Sequence, residues 1–346
     1  MGATSMVGES PARKPGIKDV AKAAGVSVGT VSNVLNAPQR VSPEVQERVR
    51  AAIMTLGYVR NAAASTLRRG VSPLVGVVVL DITNPFFLEA AGAMEEAFDK
   101  EDLIMALSSS RADKERERRT LRTLNSQAVR GVILTPTDPE LTTARELAAG
   151  GTPVILFDVA SDDPQFSGIS VDDTAGAATA VSHLIELGHK DILFINGPKG
   201  PHQSTDRLTG ALRAVADHPG IGVRLTTIHA DAFRGDAAAR ALLDYLTVVD
   251  TPPTGLFCAA DVMAFGAMTT LHNLGLEVPG DVSIVGFDDI ALSAQSSIPL
   301  TTIRQPMDEI GRRAAEMLIN TPNQIVHERY VPTLQIRDST APPNAS

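Results

Sequence analysis

Apolar residues change their spacing once along this chain, near residue 70. Before that point they recur at helical intervals. Ile17, Val20, Ala21 and Ala24 form one stripe, the i, i+3, i+4, i+7 pattern of an amphipathic helix. Gly25 ends it where a sharp turn needs a residue without Cβ. Ser27 can cap a second helix, through roughly Leu35, by accepting a backbone N–H bond. Val31, Val34 and Leu35 make the apolar stripe of this second helix, and Val28, Gly29, Ser32, Asn33 and Asn36 lie opposite. A third helix is punctuated by Ser42 as cap, Pro43 at the first helical position and Glu44 in the first turn, where the dipole favours an acid. Val45, Val49, Ala52, Ile53 and Leu56 form its buried face and Gly57 stops it. Three short helices with a tight turn between the first two predict a helix-turn-helix.

After Gly70 the period shifts. Short apolar runs rich in β-branched residues alternate with helical stretches: LVGVVVL (74–80), LIMALSS (103–109), GVILTP (131–136) and PVILFD (153–158). A second series is DILFING (191–197), VRLTTIHA (223–230), GLFCAA (255–260) and VSIVGFDD (282–289). Helix-like stretches between them include Phe87–Lys100, Asp113–Ala128, Thr174–Leu187 and Ala237–Leu246. Continuous apolar strands alternating with helices predict parallel sheets covered on both faces. The fold class expected is therefore α/β: two doubly wound parallel-sheet lobes preceded by a small all-α helix-turn-helix headpiece. Such sheets bind ligands at the carboxyl ends of their strands, which puts a binding cleft between the lobes.

Charge changes the picture of the N-terminus. The whole chain carries −9, yet residues 1–70 hold ten basic groups against four acids, a surplus of +6 that leaves −15 on the rest. A basic end on an acidic body is the asymmetry of a nucleic-acid-binding module joined to something that does not touch DNA. The outward face of the second helix fits that role: small, uncharged and rich in hydrogen-bonding groups where a solvated face prefers Glu and Lys. Composition bounds the rest. At 346 residues the chain exceeds one hydrophobic core. Its longest apolar runs, such as Leu74 to Leu80, fall far short of the roughly 18 residues of a membrane span. No apolar segment follows Arg13 and Lys14 to make a signal peptide. Cys258, the single cysteine, permits neither an intrachain disulfide nor a cysteine zinc site. A cytoplasmic protein without membrane contact is expected.

Asn61 to Arg69 (NAAASTLRR) is alanine-rich, can be capped by Asn61 and ends at Gly70. It is too short to be a stable helix alone. It reads either as a flexible linker or as a hinge helix that orders on DNA, with Leu67 as an apolar wedge in the minor groove.

The stretch from Ile17 to Gly70, with VSVGTVSNVLN, VSPEVQERV and LGYVRNAAASTLR, closely resembles the headpiece of the lactose/galactose repressor family of bacterial regulators. That resemblance implies that Val28, Gly29 and Asn33 face base edges, with Thr30, Ser32, Asn36 and Tyr58 nearer the DNA backbone. Ala64 and Leu67 would enter the minor groove, and the two caps Ser27 and Asn61 complete the DNA-binding set. Two positions depart from the pattern. Asn33 stands where many members have arginine, which suits a bidentate contact to adenine over guanine. Arg60 replaces a common proline before the hinge.

The body resembles the same family and, through it, the periplasmic sugar-binding proteins. DITNPFF (81–87), FDVASDD (157–163), STDRLTG (204–210), DVMAFGAM (261–268), VSIVGFDDI (282–290) and LTTIRQP (300–306) carry the likeness. It implies that Asn84, Phe86, Phe87, Asp158, Arg207, Asp288 and Gln305 line an effector cleft. Aromatic faces would stack on a sugar ring while carboxylates, an amide and a guanidinium meet its hydroxyls. Simpler roles stand beside this one: Phe86 or Phe87 as core, and Asp288 and Asp289 as caps of a following helix. Ala260 replaces a frequent asparagine, Ala232 replaces a stacking aromatic that Phe233 could supply, and Pro201, His202 and Gln203 do not reproduce the basic pocket of purine-responsive members. The resemblance therefore points to a sugar or sugar derivative.

The organisation expected is a tail (1–15), a headpiece (16–60), a hinge or linker (61–70), a two-lobed effector-binding and dimerisation domain (71–340) and a tail (341–346). The function implied is a homodimeric transcriptional regulator, a repressor of a carbohydrate-utilisation operon, gripping a pseudo-palindromic operator in double-stranded DNA. Control by a protein co-regulator is the alternative, and a non-regulatory sugar-binding protein a further one. No enzyme, cofactor or metal is expected. Gly25-Val26-Ser27-Val28-Gly29 matches a G-x-S-x-G pattern, but no strand runs into its serine. His183 and His189 are six apart rather than the four that would pair them on one helix face, and no Walker or G-x-G-x-x-G loop occurs.

Overall fold

The computed structural model describes residues 15–58, 72–320 and 325–344. The chain forms two compact units, Met1–Gly70 and Val71–Ser346. In the first unit, α1 (Ile17–Ala24), α2 (Val28–Asn36) and α3 (Pro43–Leu56) surround a core in which Val20, Val31 and Val49 are fully buried. Gly25 and Gly57 end α1 and α3 with φ of 64° and 60°, the left-handed turn that favours glycine. Ser27 caps α2 by accepting from the Thr30 amide at 3.0 Å. Ser42 precedes α3 in extended backbone, but its hydroxyl makes no capping bond. Pro43 at the first position, with no N–H to satisfy, begins this helix instead. Gln46 fixes the α2–α3 connection by donating to the carbonyls of Pro38 and Val41 at 2.8 and 3.0 Å. Asn61, Ala64 and Leu67, with the predicted hinge, lie outside the described residues.

The second unit holds two six-stranded sheets. The first, in the order β11-β5-β4-β3-β1-β2, is wholly parallel. It comprises β1 (Leu74–Val79), β2 (Ile104–Ser109), β3 (Gly131–Leu134), β4 (Val154–Phe157), β5 (Ser167–Val171) and β11 (His327–Tyr330). Helices α4 (Pro85–Asp99), α5 (Lys114–Ser126), α6 (Thr142–Ala149) and α12 (Met307–Asn320) cover it. The second sheet, in the order β12-β10-β9-β8-β6-β7, is parallel except for β12, which runs antiparallel to β10. Its strands are β6 (Asp191–Asn196), β7 (Arg224–His229), β8 (Gly255–Cys258), β9 (Ser283–Asp288), β10 (Thr301–Arg304) and β12 (Thr333–Gln335). Helices α7 (Asp173–Glu186), α8 (His202–Asp217), α9 (Gly235–Leu246) and α10 (Asp261–Asn273) flank it, and the short α11 (Ala291–Gln295) follows β9.

All eight strands expected from the apolar runs are present. The apolar runs fall into two consecutive series, but the described chain passes between the lobes three times: after β5, between β10 and α12, and between β11 and β12. The 3.6-residue stripe of α12 (Met307, Ile310, Ala314, Met317, Leu318) announces a helix without saying which sheet it covers. Glycine decides the closest packing in each lobe. A Cβ on Gly210 of α8 would come within 2.1 Å of the Thr174 carbonyl of α7, and one on Gly311 of α12 within 2.4 Å of the Ala90 carbonyl of α4. His183 and His189 are structural: they bond Thr340 at 3.1 Å and the Ala341 carbonyl at 3.0 Å, holding the C-terminal strap to the second lobe. No helix among the described residues is long and apolar enough to cross a membrane.

Candidate functional site

Two surfaces gather the predicted residues. On α2, Val28, Gly29, Asn33 and Asn36 are exposed, and Thr30 and Ser32 half-buried. Local bonds orient the face. Ser27 Oγ and Thr30 Oγ1 lie 2.9 Å apart, and Asn36 Nδ2 donates to the Ser32 carbonyl at 2.8 Å. The Asn33 amide makes no side-chain bond within the described residues, so both its donor and its acceptor face outward. Lys18, Lys22, Arg40, Arg48 and Arg50 are exposed around this unit, while Tyr58 packs partly against its core.

The second surface is an interlobe cleft. Its floor is a small cavity of about 40 Å³ lined by Asn84, Phe86, Phe87, Asp158, Arg207 and Asp288, together with Leu80, Asp81, Gln203, Phe233 and Ala260. Each contributes from a strand end or from the segment directly after one: Leu80 after β1, Asp158 after β4, Gln203 and Arg207 after β6, Phe233 after β7, Ala260 after β8 and Asp288 closing β9. Switch-point geometry of parallel sheets does this, because side chains there escape the core.

Asn84 caps α4, accepting from the Phe86 amide at 3.1 Å. The Phe86 and Phe87 rings meet edge-on at 4.9 Å, and both are nearly fully buried. Asp158, at φ 58°, is bridged from the opposite lobe by Gln203, whose Nε2 donates to its carbonyl and to Oδ2, both at 2.9 Å. Arg207 donates through Nε to Asp173 Oδ1 at 2.7 Å and through Nη1 to the Ala259 carbonyl, and its guanidinium lies 3.8 Å above the Phe287 ring. Asp288 has φ 128° and accepts at Oδ1 from Gln305 Nε2 at 2.9 Å. Asp289, at φ 60°, is clasped by Arg337 at 2.6 Å. Neither carboxylate caps α11, whose first turn has no side-chain cap.

Several acceptors here are left over. Asp158 Oδ1, Asp288 Oδ2, Gln305 Oε1 and Ser204 Oγ are buried without a partner. Native interiors rarely tolerate this. Burial, with Asp173 nearby, pushes the Asp158 carboxyl up to about 7 against the pull of Arg207. Burial holds Asp288 well above the carboxylate range, also against Arg207, with Asp261 and Asp158 adding to the rise. Burial works against the Arg207 charge, but Asp173, Asp288 and Asp158 outweigh it and raise its pKa.

This architecture has counterparts. The model for "Bacterial regulatory proteins, lacI family" matches residues 16–61, and that for "Periplasmic binding protein-like domain" matches residues 181–340. The HTH-type transcriptional repressor PurR of Aliivibrio fischeri is 34% identical over 322 residues, covering 92% of this chain and 95% of that protein. The chain belongs to the lacI family. A ribose operon repressor of Halalkalibacterium halodurans is 34% identical over 331 residues, covering 94% of this chain and 96% of that one. The crystal structure of the Lac repressor dimer bound to operator and the anti-inducer ONPF superposes with a TM-score of 0.81 at 27% identity, covering 95% and 100% of the two chains. The protein is thus a DNA-binding transcriptional regulator of the lacI family.

In this member of the lacI family, six of the seven residues expected in the cleft line the floor. Gln305 lies one layer behind, bonded to Asp288. Sequence reading missed Gln203 and Asp173 as partners of Asp158 and Arg207, having weighed Gln203 only as part of a missing basic pocket. Phe233 does line the floor, where Gly197 makes room: a Cβ there would come within 2.2 Å of its ring. Asp261 was also overlooked. Its carboxylate accepts from the Ile290 amide at 3.0 Å, Ser293 Oγ at 2.6 Å and Thr302 Oγ1 at 2.5 Å, holding the elbow that carries Asp288. The acid directly after the noted Ala260 was the available signal.

Proposed function

We propose that the protein represses a carbohydrate-utilisation operon as a homodimer on a pseudo-palindromic operator, under control of a sugar or sugar derivative bound in the interlobe cleft. One observation carries the choice of ligand: Asp158 and Asp288, each with a buried oxygen left without a partner, line a cavity walled by Phe86, Phe87 and Phe233. Such a site wants hydrogen-bond donors on an apolar frame, which is what a sugar's hydroxyls and C–H faces offer. The floor holds little more than one water's share of volume, about 30 Å³ in the liquid, so a sugar ring enters as the lobes open. A ligand that binds one degree of closure better than another shifts that equilibrium by its differential affinity, with a coupling to DNA of about 1–3 kcal/mol. In this reading α2 enters the major groove with Val28, Gly29 and Asn33 at base edges, and Ala64 and Leu67 enter the minor groove from the hinge.

The test is retardation of the DNA upstream of the protein's own gene, with and without a panel of sugars, alongside thermal unfolding with the same panel. One sugar is expected to raise the melting temperature and to change operator affinity together, since a ligand at 100 times its Kd adds about 2.7 kcal/mol. Response to purine bases instead of sugars would overturn the carbohydrate assignment, and response to no small molecule would favour a protein co-regulator.

A further inference from the structure

The floor opens outward into two further cavities that share its walls. A middle cavity of about 220 Å³ has Leu80, Asp81 and Phe233 in common with the floor. An outer one of about 530 Å³ shares Arg111, Pro198 and Asp231 with the middle. The outer volume falls in the range of small-molecule sites, and both lobes build it: Arg111 and Lys114 come from the first, Lys199 and His202 from the second.

Charge reverses along this path. At the floor the one guanidinium, Arg207, is paired behind the cavity wall with Asp173, and oxygens of Asp158 and Asp288 remain unpartnered. At the mouth the acids are already answered, Asp138 by Lys114 at 3.3 Å and Asp231 by Arg240 at 3.4 Å. Arg111 and Lys199 have no side-chain hydrogen bond or ion pair within the described residues, and both are exposed on the cavity wall. Arg111 and Ala112 also hold left-handed backbone, φ 53° and 55°, without being glycine. Such strain persists where the surroundings fix it, and it clusters at ligand clamps. The Arg111 amide is fixed by the Leu80 carbonyl at 2.7 Å, on a residue that lines all three cavities.

Resting on the sugar-cleft reading above, we infer that the effector is a sugar bearing an oxyanion, phosphate or carboxylate, bound with its neutral ring on the acidic floor and its anion between Arg111 and Lys199 at the mouth. An anion placed on the floor would find its one guanidinium already committed to Asp173, so the ligand binds one way round. Because the two cations come from different lobes, the anion also bridges the cleft and favours its closure over the open form.

Isothermal titration on the full chain tests this with matched probes: glucose, ribose, fructose and trehalose, each against its terminal phosphate ester, with glucuronate as the carboxylate arm and inorganic phosphate alone. In the pair that binds, the charged member is expected to bind about tenfold tighter or more, a gain of about 1.4 kcal/mol. The Arg111→Gln/Lys199→Gln double variant should remove that gap while leaving the neutral partner's affinity within about twofold. Phosphate ester and uronic acid distinguish the two anion sources. A neutral sugar binding as tightly as its charged partner, or a gap that survives the double variant, overturns the anion site and leaves the sugar cleft standing. Failure of every sugar, charged or neutral, overturns both readings. Inorganic phosphate binding equally well to wild type and double variant overturns the assignment to Arg111 and Lys199.

Discussion

The two functional surfaces solve opposite problems. The α2 face of the headpiece is open to solvent, uncharged, and ordered by short local bonds such as Ser27 to Thr30 and Asn36 to Ser32. The cleft floor is closed, crowded with carboxylates, and ordered by bonds between residues far apart in the chain: Gln203 to Asp158, Arg207 to Asp173, Gln305 to Asp288. A surface that must read a polyanion is served by exposed donors and acceptors within a basic unit, because steering supplies affinity and side chains supply discrimination. A small ring bound in the cleft, as proposed above, would have no such help. The cleft withholds partners from buried acceptors, so that a ligand alone could satisfy them.

The contrast can be broken at its most buried point first. Arg207→Met should destabilise the second unit by about 3–5 kcal/mol, because it leaves the Asp173 carboxylate buried without its cation. Thermal unfolding would show the loss, while the headpiece transition of the same variant stays in place. A loss below about 1 kcal/mol would show the pair to be dispensable.

The next effect is in pH. The folded-state pKa of Asp158 is raised from 3.8 to about 7. A carboxyl whose folded pKa is raised contributes stability below its ordinary pKa and loses it as pH rises through the folded value. Without ligand, the melting temperature of the second unit should therefore fall between pH 4 and pH 8, with a slope from this group of at most about 1.4 kcal/mol per pH unit. Asp158→Asn should reduce that fall by its own share, leaving the contributions of Asp288, which burial holds well above the carboxylate range, and of Asp261, which burial pushes up to about 6. An unchanged slope in the variant would remove Asp158 as its source.

The headpiece predictions are smaller and selective. Asn33→Ala should cost about 1–3 kcal/mol against operator and change base preference at one position in each half-site, with non-specific affinity kept; binding-site selection reads this directly. Equal weakening on operator and random duplex would make Asn33 a backbone contact. Ser27→Ala should lower headpiece stability by about 1 kcal/mol through loss of the α2 cap. Circular dichroism of the isolated headpiece transition would measure it, and DNA binding at low temperature should survive.

The same contrast explains what could be read from the chain. In the headpiece, cap, turn glycine and apolar stripe all act within a few residues, and Gly25, Ser27 and Gly57 behave as their types require. The exception was Ser42, because a serine before Pro43 looks like a cap whether or not its hydroxyl turns inward. In the body, continuous apolar runs announced eight strands. The other four strands, β5 (SGISV), β10 (TTIR), β11 (HERY) and β12 (TLQ), escaped notice, since short runs of small or polar residues become strand only beside a partner already in the sheet. Asn84, Phe86, Phe87, Asp158, Arg207 and Asp288 were named through resemblance, not through periodicity. Nothing local ties Gln203 to Asp158, 45 positions away.

What the sequence by itself determined, then, is everything whose cause is short-range: the three helices and their ends, the basic surplus of the first 70 residues, the alternation that makes two parallel sheets. Tertiary structure alone decided that α12 and β11 return to the first lobe. It likewise decided that Asp158 and Asp288 face one cavity from opposite lobes, and that their leftover oxygens lie inward while Arg111 and Lys199, at the rim, have no side-chain partner among the described residues. Local propensity is summed along the chain, whereas burial, and with it the pKa of a carboxyl or the cost of an unpartnered oxygen, depends on what the rest of the chain brings alongside.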